Sequence, residues 1–501
     1  MLAARKRKIE ERLDGAYINQ DDFPVLRGTS AHYELAERTR GIAAGGIGLV
    51  HRLAKESGLI DAIDRRLHLL KFHLPYHESD HVLNIAYNAL CGGTCLDDIE
   101  LRRNDEVFLD ALGTPRIPDP TTAGDFCRRF DAEDVFSLQD AFDEARLHIW
   151  QRQPDEFFEQ AVIDMDGTMV PTTGECKQGM DISYKGVWGY HPLVVTLANT
   201  GEPLRLINRS GNRPSHEGAW AAADDAIALC RGAGFRKIRL RGDTDFTQTE
   251  QLDRWTTEQI EFVFGVDAMP NLVEIADNLP KNAWSLLERP KRPNRSGKRR
   301  QKPGQAKEQI VVERGYKNLR LKGEDIAEFA YQPTKCKRSY RMVVIRKRIE
   351  ETRGALFEGL NDRYFFYITN TKLTAKGVIF DANDRCDQEN IHAQLKGGVH
   401  ALKAPVDNLV SNWAYMVMAS LAWNLKAWFG LWPPESGPPS QKEQRKAEKR
   451  TVLRMEFKTF VNHFIAMPAQ IVRTSRRLVV RLLSWNRWQP FFFRVYDSLR
   501  C

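Results

Sequence analysis

The spacing of apolar residues divides the chain into a helical part and a part rich in strands. Over residues 40–150 apolar side chains recur at helical spacing, as in "SDHVLNIAYNAL" (79–90). From residue 161 the period shortens, and "AVIDMD", "HPLVVTLA" and "EPLRLIN" are short β-type runs separated by turns. Three such runs in close succession predict an antiparallel meander.

Beyond the meander, the pattern alternates between helix and strand. It predicts a helix over 216–231, a strand over 236–242 that ends at Asp243, a further helix, and a strand over 260–267. A strongly basic stretch then intervenes. The regular pattern resumes later in the chain, where we expect strands at 325–332 and 340–348, core-like sequence at 363–370 and a helix starting near Asn383.

Positive charge is concentrated in two stretches of a chain whose formal net charge is +8. Residues 281–350 contain 21 Lys/Arg against 7 Asp/Glu, and residues 441–500 contain 14 against 4, so the remainder is net acidic. Contacts between basic side chains and phosphates release counterions and supply most sequence-independent affinity for nucleic acid. The distribution therefore favours a polyanion-binding protein, although residues 289–304 alone could be a solvated loop.

Composition favours a soluble protein of a reducing compartment. Apolar residues make up 42% and charged residues 28% of the 501 positions, and the eight cysteines show no paired spacing of a disulfide framework. The uncharged stretch between Asp407 and Lys426 contains Asn and Ser among its apolar residues. We therefore expect a buried core helix there and no membrane span.

The motif "DMDGT" (164–168) leaves two enzyme classes open. Its two carboxylates, Asp164 and Asp166, resemble the entry motif of haloacid-dehalogenase phosphatases, and "GDTDF" (242–246) imitates the late acidic motif of that family. Those enzymes place the motif on the first strand of a parallel sheet with a helix soon after, whereas here two further strands come first. The phosphatase also leaves both basic stretches unexplained. The other class is a metal-dependent enzyme that cuts DNA.

The predicted order strand–strand–strand–helix–strand, with carboxylates at the first and fourth strands, is the ribonuclease-H-like plan. On these features the chain resembles the DDE transposases of bacterial insertion sequences, in the branch that carries a β-strand insertion before the final Glu. Asp166 matches the first carboxylate of that family and Asp243 the second. Asp164 is an alternative or additional first ligand, and Asp245 is a weaker rival to Asp243.

The third family motif corresponds to "DRCDQENIHAQLKGG" (384–398). Arg385, Glu389 and Lys396 have the spacing of the Y-x2-R-x3-E-x6-K signature, whereas its Tyr position is Ala382 here. Arg385, Glu389, His392 and Lys396 follow one another at i, i+4, i+7 and i+11, so they share one helical face. A solvated face with ion pairs would show the same pattern.

The resemblance implies a definite chemistry. Asp166, Asp243 and Glu389 would be catalytic and would bind two Mg²⁺ or Mn²⁺ ions, because hard divalent ions prefer carboxylate oxygens. Arg385 and Lys396 would bind DNA phosphates. An aromatic side chain would stack on a flipped base, and Trp284 is a candidate.

The implied function is that of a transposase that binds the ends of an insertion sequence, cleaves DNA, passes through a hairpin and inserts into target DNA. Its partners would be double-stranded DNA, both terminal inverted repeats and target, and a second copy of the chain in a synaptic dimer. It would work in the bacterial cytoplasm, at the nucleoid, without membrane contact. Two alternatives are a catalytically inactive DNA-binding relative and the phosphatase.

The expected architecture is α+β, with a ribonuclease-H-like mixed sheet flanked by helices. We expect five segments: a helical DNA-binding region over 1–150, the first part of the core over 155–270, a basic β-rich insertion over 271–360, the second part of the core with the Glu helix over 361–432, and a basic helical region over 433–501.

Overall fold

The fold is α+β, as predicted. The computed structural model describes residues 1–18, 39–73, 75–174, 177–289, 312–354, 356–474 and 477–499. The helices span Leu2–Ile18, Ile47–Glu56, Leu59–Arg66, Glu78–Leu90, Ile99–Arg103, Glu106–Leu112, Pro120–Cys127, Ala132–Trp150, Ala219–Ala233, Thr249–Thr257, Pro270–Asp277, Ala375–Asp384, Cys386–Ala393, Leu409–Leu431, Pro439–Arg454, Phe457–Phe460 and Gln489–Ser498.

Nine of the described strands form one mixed sheet. The strands are β1 Gly41–Ile42, β2 Ala161–Gly167, β3 Val170–Pro171, β4 Asp181–Ile182, β5 Trp188–Tyr190, β6 Leu193–Leu197, β7 Glu202–Ile207, β8 Ile238–Gly242, β9 Ile260–Val266, β10 Ser285–Leu286, β11 Lys317–Tyr331, β12 Tyr340–Arg353, β13 Leu356–Thr369, β14 Ala469–Arg473 and β15 Leu478–Leu482. The order of the large sheet is β10-β11-β12-β13-β9-β8-β2-β6-β7. Two small sheets have the orders β3-β5-β4 and β1-β14-β15.

The centre of the large sheet follows the ribonuclease-H-like plan. Strand β2 pairs antiparallel with β6, and β6 pairs antiparallel with β7, which confirms the predicted meander. On its other side β2 pairs parallel with β8, and β8 pairs parallel with β9. Parallel neighbours need a crossover connection. The helices Ala219–Ala233 and Thr249–Thr257 lie in those connections.

The insertion extends this same sheet. Strand β13 pairs antiparallel with β9, and β11 and β12 follow outward as long antiparallel neighbours. The predicted strands 325–332 and 340–348 are only parts of β11 and β12, because the outer halves of these strands are polar and carry little apolar signal. Most of the basic stretch 289–304 lies outside the described residues.

The helix Leu409–Leu431 is the central core helix. It is buried on all sides from Ser411 to Leu431 and packs against Glu78–Leu90, Ala132–Trp150 and β7. It therefore joins the helical N-terminal part to the sheet, in agreement with the predicted core helix. Within the described ranges, no helix is both long and apolar enough to cross a membrane.

Candidate active site

One face of the central strands carries charged side chains at alternate positions. Asp164 and Asp166 alternate with buried apolar residues on β2, and Arg239, Arg241 and Asp243 alternate along β8 and its end. Side chains two residues apart on a strand point to the same face. Because Asp164 is the register partner of Arg241, the two charged rows lie on the same side of the sheet.

Two consecutive helices, Ala375–Asp384 and Cys386–Ala393, lie over this charged face. The first begins at Ala375, where the Thr374 hydroxyl accepts a hydrogen bond from the Gly377 amide at 3.1 Å. The helix predicted to start near Asn383 corresponds to the second of the two, which begins at Cys386, and the first helix with its Thr374 cap was not predicted. Arg385 joins the two helices with helical backbone angles, φ −57° and ψ −24°.

Both carboxylate oxygens of Asp164 are bound in a buried ion pair with Arg241. Arg241 donates to both of its carboxylate oxygens, at 2.7 and 2.8 Å, and to the carbonyl oxygen of Asp381 at 2.8 Å. The side chain of Asp164 is only 2% exposed. Arg239 extends the network to the carboxylates of Asp381, at 3.0 Å, and Glu261, at 2.6 Å. Asp164 is therefore placed as a structural counter-ion, which disfavours a role as metal ligand or nucleophile.

Asp166 and Asp243 form a second, more open acidic cluster at the ends of β2 and β8. Arg385 lies between them, with Nη1 3.4 Å from Asp166 Oδ2 and Nη2 3.9 Å from Asp243 Oδ2. Asp243 also accepts a hydrogen bond from the backbone N–H of Asp245, at 3.1 Å, and so caps the short turn that follows β8. The structure thus brings together two of the three predicted acidic residues.

The acidic residues of this cluster act on one another electrostatically. Burial raises the pKa of Asp166 to about 7, with further raising by the charges of Asp243 and Glu389 and a lowering by Arg385. Burial likewise raises the pKa of Asp243, against the lowering effect of Arg385. Mutually perturbed carboxylates at the mouth of a sheet are typical of functional sites.

Glu389 stands apart from the two aspartates. It lies one helical turn after Arg385 and is exposed, although its charge acts on Asp166. Among the residues that the structure describes, no three His, Cys, Asp or Glu side chains are close enough together to bind a metal ion. The donor set of three carboxylates fits a hard divalent ion by its chemistry. The arrangement in this structure is open rather than preformed.

The remaining predicted residues of the helical stripe approach Asp166. His392 Nδ1 lies 3.7 Å from Asp166 Oδ2, and burial lowers the pKa of His392 to about 4, so its imidazole is neutral at pH 7. Lys396 lies in a π-helical turn, Gln394–Gly398, where burial lowers its pKa and the charge of Asp166 raises it. The stripe therefore faces the sheet, with Glu389 at its exposed margin.

Sequence reasoning missed the buried network of Arg239, Arg241 and Asp381. Its signal was present: a central strand with two arginines at alternate positions requires acidic partners on the same face. Trp284, the candidate for base stacking, is half-buried. Its ring packs against Tyr364, and the guanidinium of Arg346 lies 4.2 Å from its centroid.

The strand order and the position of the carboxylates define the class of fold, a ribonuclease-H-like sheet with acidic residues at the ends of its first and fourth core strands. The family follows from the sequence. The sequence model of the family "Transposase DDE domain group 1" matches residues 40–501. The chain therefore belongs to the DDE transposases, which are enzymes.

Among solved structures, the chain is similar to a piggyBac transposase in a synaptic complex with hairpin DNA, determined by cryo-electron microscopy. The two share 11% sequence identity over 86% of this chain and 84% of that chain, with a TM-score of 0.36. No curated protein matches the chain.

Proposed function

We propose that this transposase binds the ends of an insertion sequence and catalyses metal-dependent cleavage and strand transfer of DNA. The observation that carries the proposal is the pairing of Asp166 and Asp243 around Arg385 at the ends of two parallel strands. Glu389 follows Arg385 by one turn and acts on Asp166 through its charge. The three residue types agree with the DDE triad that the family resemblance implies.

Asp166, Asp243 and Glu389 would hold two Mg²⁺ or Mn²⁺ ions, with Asp166 as the shared ligand. When bound, such ions activate the attacking oxygen and stabilise the leaving oxygen of a phosphodiester. Burial raises the pKa of Asp166 to about 7, and the repulsion of the neighbouring carboxylates of Asp243 and Glu389 raises it further. Cation binding would relieve that repulsion, so these side chains are suited to it.

Arg385 and Lys396 would bind phosphates of the DNA. An arginine presents a planar fork that matches two phosphate oxygens, whereas a lysine acts as a point charge. Arg385 contacts Asp166 at 3.4 Å, and Lys396 is near enough for its charge to interact with Asp166, so a phosphate that they hold would be close to the carboxylates. The buried network of Asp164 and Arg241 would keep the strands beneath them rigid.

The partners would be double-stranded DNA, first the terminal inverted repeats and then the target. The reaction would follow a cut-and-paste route through a hairpin, performed by a synaptic dimer in the bacterial cytoplasm at the nucleoid. The excess of Lys and Arg over residues 281–350 and 441–500 supports this proposal, because basic side chains bind DNA phosphates. Some of these basic residues pair with acidic residues on the described strands, as Lys322 does with Glu350 at 2.6 Å and Arg348 with Asp325 at 2.9 Å.

The phosphatase alternative is disfavoured by two observations. The strand that follows β2 in the sheet, β6, is antiparallel to it, whereas the phosphatase sheet is parallel. Asp164, which would be the nucleophile of a phosphatase, is buried and bound by Arg241 through two hydrogen bonds. The cleavage assay described next distinguishes an active transposase from a catalytically inactive relative of the same fold.

The test is cleavage of end-labelled DNA that carries the gene with its natural flanking sequences, in Mg²⁺ or Mn²⁺ and in EDTA. We expect metal-dependent cuts at the element ends, and a loss of at least about 100-fold in Asp243→Asn with DNA binding retained. Asp245→Asn is the matched variant, because it makes the same change two residues away, and we expect it to cleave.

Other results would assign a different function. DNA binding by the wild type without cleavage in either metal would indicate the inactive relative. Hydrolysis of para-nitrophenyl phosphate that is lost in Asp164→Asn, without any action on DNA, would indicate the phosphatase.

A further inference from the structure

Arg385 occupies the space between the two strand-borne carboxylates. Its guanidinium nitrogens lie 3.4 Å from Asp166 and 3.9 Å from Asp243, and its side chain is 16% exposed. Its backbone is held in the joint between two helices, and Gln388 fixes the second helix to β6 by donating to the carbonyl oxygen of Val194 at 2.8 Å. The fold therefore fixes the backbone from which the guanidinium reaches the two carboxylates.

The same two carboxylates are the ones that a divalent cation would need. A guanidinium between them supplies a positive charge at a few ångströms from any such ion, and two cations that close repel strongly outside bulk water. Among the described residues it is the guanidinium that lies against both aspartates, at 3.4 and 3.9 Å, while Glu389 remains exposed. In this arrangement the arginine takes the place of the metal.

A phosphate group of DNA could bind the Arg385 guanidinium in place of the two carboxylates. Its planar fork binds a phosphate as well as it binds a carboxylate. Lys396, which is close enough to Asp166 for their charges to interact, adds a second positive group at the position a phosphate would approach. A phosphate of bound DNA can therefore replace the carboxylates as the partner of Arg385.

We propose that Arg385 is an exchangeable internal counter-ion, which closes the Asp166–Asp243 pair to divalent cations until a DNA phosphate draws it away. Binding of DNA and binding of metal are then positively coupled, and the coupling is reciprocal. This inference rests on the proposed function for its DNA half. The competition between Arg385 and the cation is a property of the protein alone.

The first experiment is calorimetric titration of Mn²⁺ into the DNA-free full-length chain. Arg385→Gln removes the competing charge and should bind Mn²⁺ at least about tenfold more tightly than the wild type. Lys376→Gln is the matched control, because it removes one positive charge from an exposed position on the preceding helix, and should change the affinity less than twofold. The double variant Arg385→Gln with Asp166→Asn should lose the gain, which locates the ion at this pair.

The second experiment repeats the titration in the presence of a 20-base-pair duplex, with the duplex alone as the blank. DNA should raise the Mn²⁺ affinity of the wild type severalfold and leave that of Arg385→Gln nearly unchanged, because the variant has no counter-ion to displace. Equal or weaker Mn²⁺ binding by Arg385→Gln without DNA overturns the proposal, and so does an equal effect of DNA on both proteins.

These outcomes are separable from failure of the proposed function. If the chain neither binds nor cuts DNA, the proposed function fails, while the DNA-free titration still shows whether Arg385 competes with the ion. If cleavage depends on Asp243 but Arg385→Gln has the Mn²⁺ affinity of the wild type, the transposase proposal stands and the counter-ion proposal falls.

Discussion

Asp164 and Asp166, two positions apart on β2, belong to two different clusters of acidic residues and arginines. The clusters differ in how fully their charges are paired. In the first, Asp164 receives two short hydrogen bonds from Arg241 and is shielded from solvent. In the second, Asp166 and Asp243 share Arg385 at 3.4 and 3.9 Å, which is too long for strong hydrogen bonds. The first cluster is closed, and the second retains free oxygens.

The comparison teaches that residue type and spacing do not separate a structural carboxylate from a functional one. The difference comes from the helix Ala375–Asp384 and the residue that follows it. Asp381 of this helix completes the closed cluster, whereas Arg385 bridges the two aspartates of the open one. A closed pair contributes rigidity, and breaking it leaves a buried charge without a partner. An open pair stores repulsion that a cation can relieve.

The largest effect should come from breaking the closed cluster. Asp164→Asn removes the carboxylate that hydrogen-bonds the buried guanidinium of Arg241 and leaves only the more distant carboxylate of Asp381, at 3.7 Å, so we expect the free energy of unfolding to fall by about 3–5 kcal/mol. Denaturant unfolding at pH 7 measures this change. Asp245→Asn, at an exposed position, should change it by less than about 0.5 kcal/mol. A loss below about 1 kcal/mol in Asp164→Asn would show that this cluster is not the structural one.

In the open cluster, replacing the aspartate should stabilise the fold rather than destabilise it, and the gain should depend on pH. The pKa of Asp166 is about 7 in the folded chain, above the usual value near 4, so the folded state loses stability as pH rises from about 4 to 7. Asp166→Asn cannot ionise and should be more stable than the wild type above pH 7, by up to about 4 kcal/mol, and similar below pH 4. Denaturant unfolding in EDTA across this range checks it, and a pH-independent difference would contradict it.

Glu389 should matter for cleavage and not for stability. Its side chain is exposed, so Glu389→Gln should change the free energy of unfolding by less than about 0.5 kcal/mol. Cleavage of DNA should nevertheless fall by at least about 100-fold, because a metal ligand would be lost. Gel assays with labelled element ends and thermal unfolding measure the two effects. Full activity of the variant would place the third ligand elsewhere.

The smallest effect should come from Lys396. If it contacts one phosphate, Lys396→Ala should weaken DNA binding by a few fold and reduce the slope of log affinity against log salt by about one. Fluorescence anisotropy with a labelled duplex at several salt concentrations measures both. An unchanged slope would mean that Lys396 serves only the electrostatics of Asp166.

Much of the central sheet could be predicted from sequence because its strands are short, apolar and separated by turns, as in β2, β6 and β7. The full extent of β11 and β12 could not, because their outer halves are polar. Arg385 and Lys396 could be placed on one face by helical spacing. The distinction between Asp164 and Asp166 depends on Arg241, whose contact is made across the sheet and leaves no local pattern.

The central claim is that the open cluster, and not the closed one, is the metal site of the transposase. The most direct measurement is the anomalous scattering of Mn²⁺ in crystals of the chain bound to DNA. The account predicts density between Asp166 and Asp243, with Glu389 drawn in and Arg385 on a phosphate. Manganese bound at Asp164, or no manganese within ligand distance of Asp166, would contradict it.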